Sequence, residues 1–159
     1  MHPFLWLGVA LGVGVVAGMR SLVPPAVVSR TLSRQPVADD AGAVERVLAS
    51  PRTASVLSAL AIGEEIIDKL PGVPPRTRAA ALAVRAVAGA LSAAPIAMRH
   101  SLHLAPVGLV AAAGAIVGAF LFVRVRRRIA TGTGLPDAIV GTAEDAAAIA
   151  AATRLLRKL

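Results

Sequence analysis

Leu104 to Val123 reads LAPVGLVAAAGAIVGAFLFV, twenty consecutive residues without a charge. At ~1.5 Å per residue a helix of this length extends roughly 30 Å, the thickness of the hydrocarbon core of a bilayer. This stretch decides for a helical membrane protein, and its neighbours extend the reading in both directions. Arg99 to His103 is a connection short enough to make Ala79–Met98 (AAALAVRAVAGALSAAPIAM) an antiparallel neighbour. On the other side Arg124 to Arg128, RVRRR, is a basic end to the span, with Arg124, Arg126, Arg127 and Arg128 suited to anionic lipid headgroups.

Further out, Phe4 to Met19 (FLWLGVALGVGVVAGM) carries no charge and reaches spanning length if Arg20 snorkels and the helix continues toward Pro24. No basic segment precedes it and no A-x-A site follows, so it reads as a retained span rather than a cleaved signal. Thr53–Leu70 and Asp137–Leu156 also have spanning length, although both contain carboxylates. Pro51 and Pro71 bracket the first of these, and Gly134 with Pro136 precedes the second, as helix boundaries do. The expected architecture is a single all-α integral membrane domain over 1–159. It is a compact bundle of about five transmembrane helices, at about 4–23, 53–70, 79–98, 104–123 and 137–156. Val23 to Arg52 is then a long first loop, within which Ala38 to Ser50 predicts a short surface helix.

Composition agrees with this frame. Of 159 residues 56% are hydrophobic and 16% charged, against the ~25% charged usual in soluble domains. The absence of Cys excludes disulfides, thiolate metal sites and Cys nucleophiles together. A net charge of +8 would suggest nucleic acid in a soluble chain, but with apolar residues in helix-length blocks the electrostatic partner is the membrane surface. Lys and Arg divide nearly evenly between the two faces of a five-span chain, so the positive-inside rule sets no orientation. A multi-pass protein of the cytoplasmic (inner) membrane is expected.

The charges inside the spans are the candidate site. Glu64 lies six residues before Leu70 and Arg85 six residues after Ala79, roughly 9 Å from those helix ends. Glu144 lies seven residues, roughly 10 Å, after Asp137. With alternating spans, Glu64, Glu65, Arg85, Glu144 and Asp145 come to one level. Even on a lenient insertion scale a charge at a helix centre in lipid costs about 2.5–3.5 kcal/mol, so these groups should face one another or water. Glu64 and Asp68 share a helical face, where like charges repel and need Arg85, Lys69, a cation or a proton for relief. Arg20, ending an apolar run, reads as an interfacial residue on the opposite face, and Asp68 and Lys69 as interfacial near a helix end; the three are secondary candidates for the site.

Glycine spacing adds a packing expectation. Gly14-x-x-x-Gly18 in the first span and Gly114-x-x-x-Gly118 in the fourth allow close helix approach, within one chain or in a homodimer. The same order of features, a glycine pair and then an acidic pair, occurs in each half of the chain (Glu64-Glu65, then Glu144-Asp145) and suggests a weak inverted repeat. The histidines, His2, His100 and His103, fall in terminal or loop stretches without a third metal ligand nearby. Phosphate-binding, nucleophile-elbow, zinc-protease and dinucleotide motifs are absent, and no cofactor is implied.

Five stretches together carry a family resemblance: GMRSLVPPA at Gly18 to Ala26, GEEIIDKLP at Gly63 to Pro71, PRT at Pro75 to Thr77, RAVAGA at Arg85 to Ala90, and AEDA at Ala143 to Ala146. The chain resembles a bacterial family of polytopic membrane proteins known as domain of unknown function 4126. Ser21 stands where relatives are expected to have Thr, and its hydroxyl can serve similarly. The resemblance implies a multi-pass membrane protein and assigns no activity. From the charged layer, the leading expectation is a small transporter or channel-like protein for a proton-coupled or cationic small solute. The alternatives are a scaffold or lipid-organising protein whose charges only fix helix pairing, and an intramembrane enzyme acting on lipid.

Overall fold

The computed structural model describes residues 3–37, 41–68, 77–134 and 136–157. Among these the chain is all helical: α1 (Pro3–Met19), α2 (Val23–Leu32), α3 (Ala43–Leu48), α4 (Pro51–Ile67), α5 (Ala79–Arg99), α6 (Leu104–Thr133) and α7 (Asp137–Leu156). Two of them, α5 and α6, are long and apolar enough to cross a membrane, and α1 is a shorter apolar helix. The acidic start of the expected surface helix, the turn Pro71 to Arg76 and the residues His2, Lys69 and Lys158 lie outside the described residues. Of the surface helix itself, α3 spans six residues.

The first helix departs from expectation. It stops at Met19, and a second helix begins at Val23. The cause is local: Pro24 and Pro25 lack N–H donors, and their rings clash with carbonyls one turn back, so α1 cannot run through them. In the first turn of a new helix the same prolines cost nothing, because those N–H groups have no partner there. At the other extreme α6 continues ten residues past Val123 and takes in the RVRRR segment. No breaker intervenes until Gly134, which ends the helix in the left-handed conformation (φ 66°) open to glycine.

Side-chain contacts fix the directions of these helices. At one end of the molecule Trp6 of α1 stacks on His100 at the end of α5; at the other, Arg85 of α5 reaches the Gly18 carbonyl. Helices α1 and α5 are therefore antiparallel. A Cβ on Gly114 would meet the Leu11 carbonyl and one on Gly118 the Val15 carbonyl, so α1 and α6 run parallel. Helix α7 opposes α1, with Leu155 against Gly12 and Asp145 against Arg20. Helix α2 returns toward the Trp6 end, where Arg99 bonds Gln35. It lies antiparallel to α4, with Leu22 at Glu64 and Ser29 at Leu48.

The described helices α1, α2, α4, α5, α6 and α7 thus alternate in direction, with α2 interposed between the first two of the expected spans. The extra reversal is α2, ten residues that sequence reading places in a loop. Its consequence is that α1 and α6 are parallel whereas α4 and α7 are antiparallel. One rotation cannot superpose both pairs, so the suggested inverted repeat has no counterpart among the described helices.

The core lies around α1, which packs on α5, α6 and α7. Small residues permit close contact: Ala10, Val13 and Ala17 of α1, Ala93 and Ala97 of α5, and Ala111 and Ala115 of α6 are all buried. The glycine pairs make the closest approach, since a Cβ on Gly14 would lie 2.0 Å from the Ala111 carbonyl oxygen and one on Gly18 2.3 Å from that of Ala115. Gly14, Gly18, Gly114 and Gly118 are thereby occupied within the chain and supply no surface for a second copy. The periphery is apolar too, with Phe4, Ile62, Leu109 and Val117 each at least 60% exposed.

Candidate functional site

The bend between α1 and α2, Arg20 to Leu22, is inside the protein, and Arg20 is 1% exposed. A helix end in such a position leaves carbonyls of α1 and N–H groups of α2 without helical partners. Two charged side chains supply them. Glu64 of α4 accepts from the backbone N–H of Ser21 at 3.0 Å and of Leu22 at 2.9 Å, and from the Ser21 hydroxyl at 2.5 Å. Arg85 of α5, 5% exposed, donates from Nε to the Gly18 carbonyl at 3.3 Å. A carboxylate thus sits at the N-terminus of α2 and a guanidinium at the C-terminus of α1, each opposite in sign to the helix end it meets. The two are 4.0 Å apart, and Arg85 also donates to the Ala81 carbonyl one turn back on its own helix at 3.3 Å.

Arg20 is the centre of a second cluster. Its Nε donates to Asp145 Oδ1 of α7 at 2.6 Å and lies 3.2 Å from Glu65 Oε1 of α4, while Nη1 donates to Asp68 Oδ2 at 2.5 Å. Its Nη2 is also paired with Asp145. The planar fork of an arginine can hold several carboxylates at once, which a single ammonium cannot. Asp68 and Asp145 are mostly buried and Glu65 is partly so.

Set against expectation, Glu64, Glu65, Asp68, Arg85 and Asp145 come together, as their depth along α4, α5 and α7 requires. The central guanidinium is Arg20 rather than Arg85. The expectation of an interfacial Arg20 on the opposite face is corrected, because α2 turns the chain back at that level and leaves Arg20 buried beside α4 and α7. Asp68 likewise belongs to the buried cluster rather than to the interface. Glu144 is corrected as well: it pairs with Arg126 of α6 at 3.5 Å. Adjacent helical residues point about 100° apart, so Asp145 turns toward Arg20 and Glu144 toward α6.

The stretches that prompted the family resemblance, around Gly18–Ala26, Gly63–Pro71, Arg85–Ala90 and Ala143–Ala146, supply the residues of this one region. Ser21 takes part in this region through both its hydroxyl and its amide, which donate to Glu64. The Pro24-Pro25 pair was the signal that could have placed Arg20, since it marks a helix start immediately after it. Among the described residues no three His, Asp or Glu side chains converge as a metal ion would need. His100 is stacked on Trp6 with ring centroids 3.5 Å apart. No family model, curated protein or solved structure matches the chain.

Proposed function

We propose that the protein is a multi-pass protein of the cytoplasmic membrane that passes a proton, or a small cation coupled to one, through the cluster around Arg20. The observation that carries this reading is a convergence: Glu65, Asp68 and Asp145 all reach one buried guanidinium. Carboxylates gathered this closely and withdrawn from water repel one another more strongly than they would in solvent. A proton or cation taken up from one side and released to the other offsets that repulsion.

Membrane residence is supported by the length of α5 and α6 and by large apolar side chains exposed around the molecule. Helix α2, at ten residues, is about 15 Å long and half a bilayer core, so α1 and α2 act as a hairpin whose bend stays inside the bundle. Non-helical backbone at that depth needs protein partners, which Glu64 and Arg85 provide. The Arg124 to Arg128 segment on the extension of α6 contacts anionic headgroups in this arrangement.

The test is proton flux into vesicles containing the purified protein, driven by a pH gradient and read with an entrapped pH dye. Asp68→Asn and Asp145→Asn should each reduce flux at least tenfold while helix content is retained. A competing reading, that the charges only hold the helices together, is favoured by one specific observation: Glu64 and Arg85 are spent on backbone groups of the bend. Flux no greater than in protein-free vesicles would leave the scaffold reading standing.

A further inference from the structure

The groove between α2, α4 and α7 has a volume of about 410 Å³ and one chemically distinct end. Its floor is Val23, Ala26, Val27, Arg30 and Thr31, whose spacing of three and four places them on one face of α2, with Arg34 in the turn just beyond the helix. Ala61 and Ile62 of α4 and Ile149 of α7 form apolar walls. The hydroxyls that line the groove make no demand on an occupant, because Thr31, Ser58 and Thr153 each donate to the carbonyl four residues back on their own helix, at 2.9, 2.7 and 2.7 Å. What remains to offer a ligand is the pair of guanidiniums, Arg30 and Arg34. Both are exposed, and neither has a carboxylate partner among the described residues.

Depth gives the occupant its length. Gln35, next to Arg34, is bonded by Arg99 at the terminus of α5, so Arg34 lies at the level where a spanning helix leaves the hydrocarbon. From there to Val23 is eleven residues, roughly 16 Å at ~1.5 Å per residue and about half of a ~30 Å hydrocarbon core. An apolar trough one leaflet deep, with two guanidiniums at its rim, has the charge and shape of a single anionic lipid.

We propose that this groove seats one anionic phospholipid of the leaflet at the Trp6 end, with its phosphate between Arg30 and Arg34 and an acyl chain along Val23, Ala26 and Ile62. The inference rests on the membrane residence proposed above and is independent of transport. Its inner end is one residue from Leu22, so the lipid packs against the bend that Glu64 holds.

Native mass spectrometry of the full chain, released from detergent containing equal phosphatidylglycerol and phosphatidylcholine of matched acyl chains, reads the preference. The wild type should retain phosphatidylglycerol over phosphatidylcholine by about thirtyfold, the scale of two basic residues each acting near a headgroup. Arg30→Gln with Arg34→Gln should bring the ratio close to one, whereas Arg127→Gln with Arg128→Gln on the α6 extension should leave it unchanged. Ala61→Phe, which fills the trough and keeps both charges, should lower retention of phosphatidylglycerol. Equal retention of the two lipids by the wild type, or a preference unaltered in the Arg30/Arg34 variant, overturns the proposal. Displacement of phosphatidylglycerol by millimolar inorganic phosphate also overturns it, by showing a free-anion site. Retention is measured in detergent and flux in vesicles, so loss of retention with flux intact fails this proposal alone, and the reverse fails only the transport reading.

Discussion

Arg20 and Asp145, 125 positions apart in the chain, meet through a 2.6 Å hydrogen bond from Nε to Oδ1 in the interior of the protein. The bond ties the bend between α1 and α2 to α7, and the same guanidinium reaches Asp68 and Glu65 on α4. Removing one partner from a buried ion pair leaves the others charged and unpaired, at a cost of about 3–5 kcal/mol. Arg20→Gln should therefore lower stability by about that amount, as measured by thermal unfolding in detergent followed by circular dichroism. Adding Asp145→Asn should recover part of the loss, since fewer negative charges remain uncompensated. Arg20→Lys should recover little, because one ammonium cannot span the three carboxylates. A loss below ~0.5 kcal/mol for Arg20→Gln, the level of an exposed pair, would refute the central role given to this residue.

Close packing of α1 on α6 makes a second expectation. A Cβ on Gly14 or Gly18 would meet backbone oxygen at 2.0 and 2.3 Å, and a helix backbone cannot yield as a side chain does. Gly14→Ala and Gly18→Ala should each destabilise by about 1–3 kcal/mol through overpacking. Gly8 and Gly63, also within helices, have open space where a Cβ would stand. Alanine at either should be neutral or stabilising by up to ~1 kcal/mol, from helix propensity alone. Equal effects at all four positions in the same unfolding assay would mean that α1 and α6 are not in this contact.

Glu64 and Ser21 divide the work of closing the bend. Ser21→Ala removes the hydroxyl bond to the Glu64 carboxylate and keeps the amide bond, so it should cost about 1.5–3 kcal/mol. Ser21→Thr keeps both and should be close to neutral. Glu64→Gln replaces one acceptor oxygen with an amide that cannot accept, which should cost about 1.5–3 kcal/mol for a bond to a charged group. Amide hydrogen exchange at Ser21 and Leu22 should accelerate in Glu64→Gln and remain slow in Ser21→Thr; unchanged protection in Glu64→Gln would rule out its role as the cap of α2.

His100, just beyond α5, sets a pH dependence. Burial first and the neighbouring Arg99 second hold its pKa below the ordinary histidine value of 6.5. The folded protein then resists a proton that the unfolded chain accepts, so this residue costs no stability above pH 6.5 and progressively more as the pH falls below that value. His100→Phe keeps a ring to stack on Trp6 and cannot titrate. Between pH 7 and pH 5 the melting temperature of the wild type should fall further than that of His100→Phe. Parallel declines in the two proteins would show that His100 is free to protonate in the fold.

The helices themselves were legible because their signals are local. Apolar runs, bracketing prolines and the glycine before Pro136 depend on a few neighbouring residues, and α5 begins where they place it. Depth along a helix is equally local, a matter of counting residues from its end, which is why Glu64, Arg85 and Asp145 could be brought to one level from the sequence alone. The direction of each helix is a cumulative quantity, however. Missing the ten residues of α2 reversed the assigned side of Arg20 and excluded it from the layer whose centre it occupies.

The amino-acid sequence by itself determined an all-helical chain, the residues buried at glycine-spaced contacts, and the presence of acids and arginines that apolar surroundings force together. Only the tertiary structure decided which arginine the acids gather around, that Glu144 pairs with Arg126, and that Glu64 and Arg85 serve the backbone of a buried bend. The physical reason lies in α2. A ten-residue helix has too few hydrogen bonds to be stable alone, and it exists here because α4 and α7 pack against it. Its sequence carries a start signal at Pro24-Pro25, but the reversal that signal permits is realised only by contacts with residues far away in the chain.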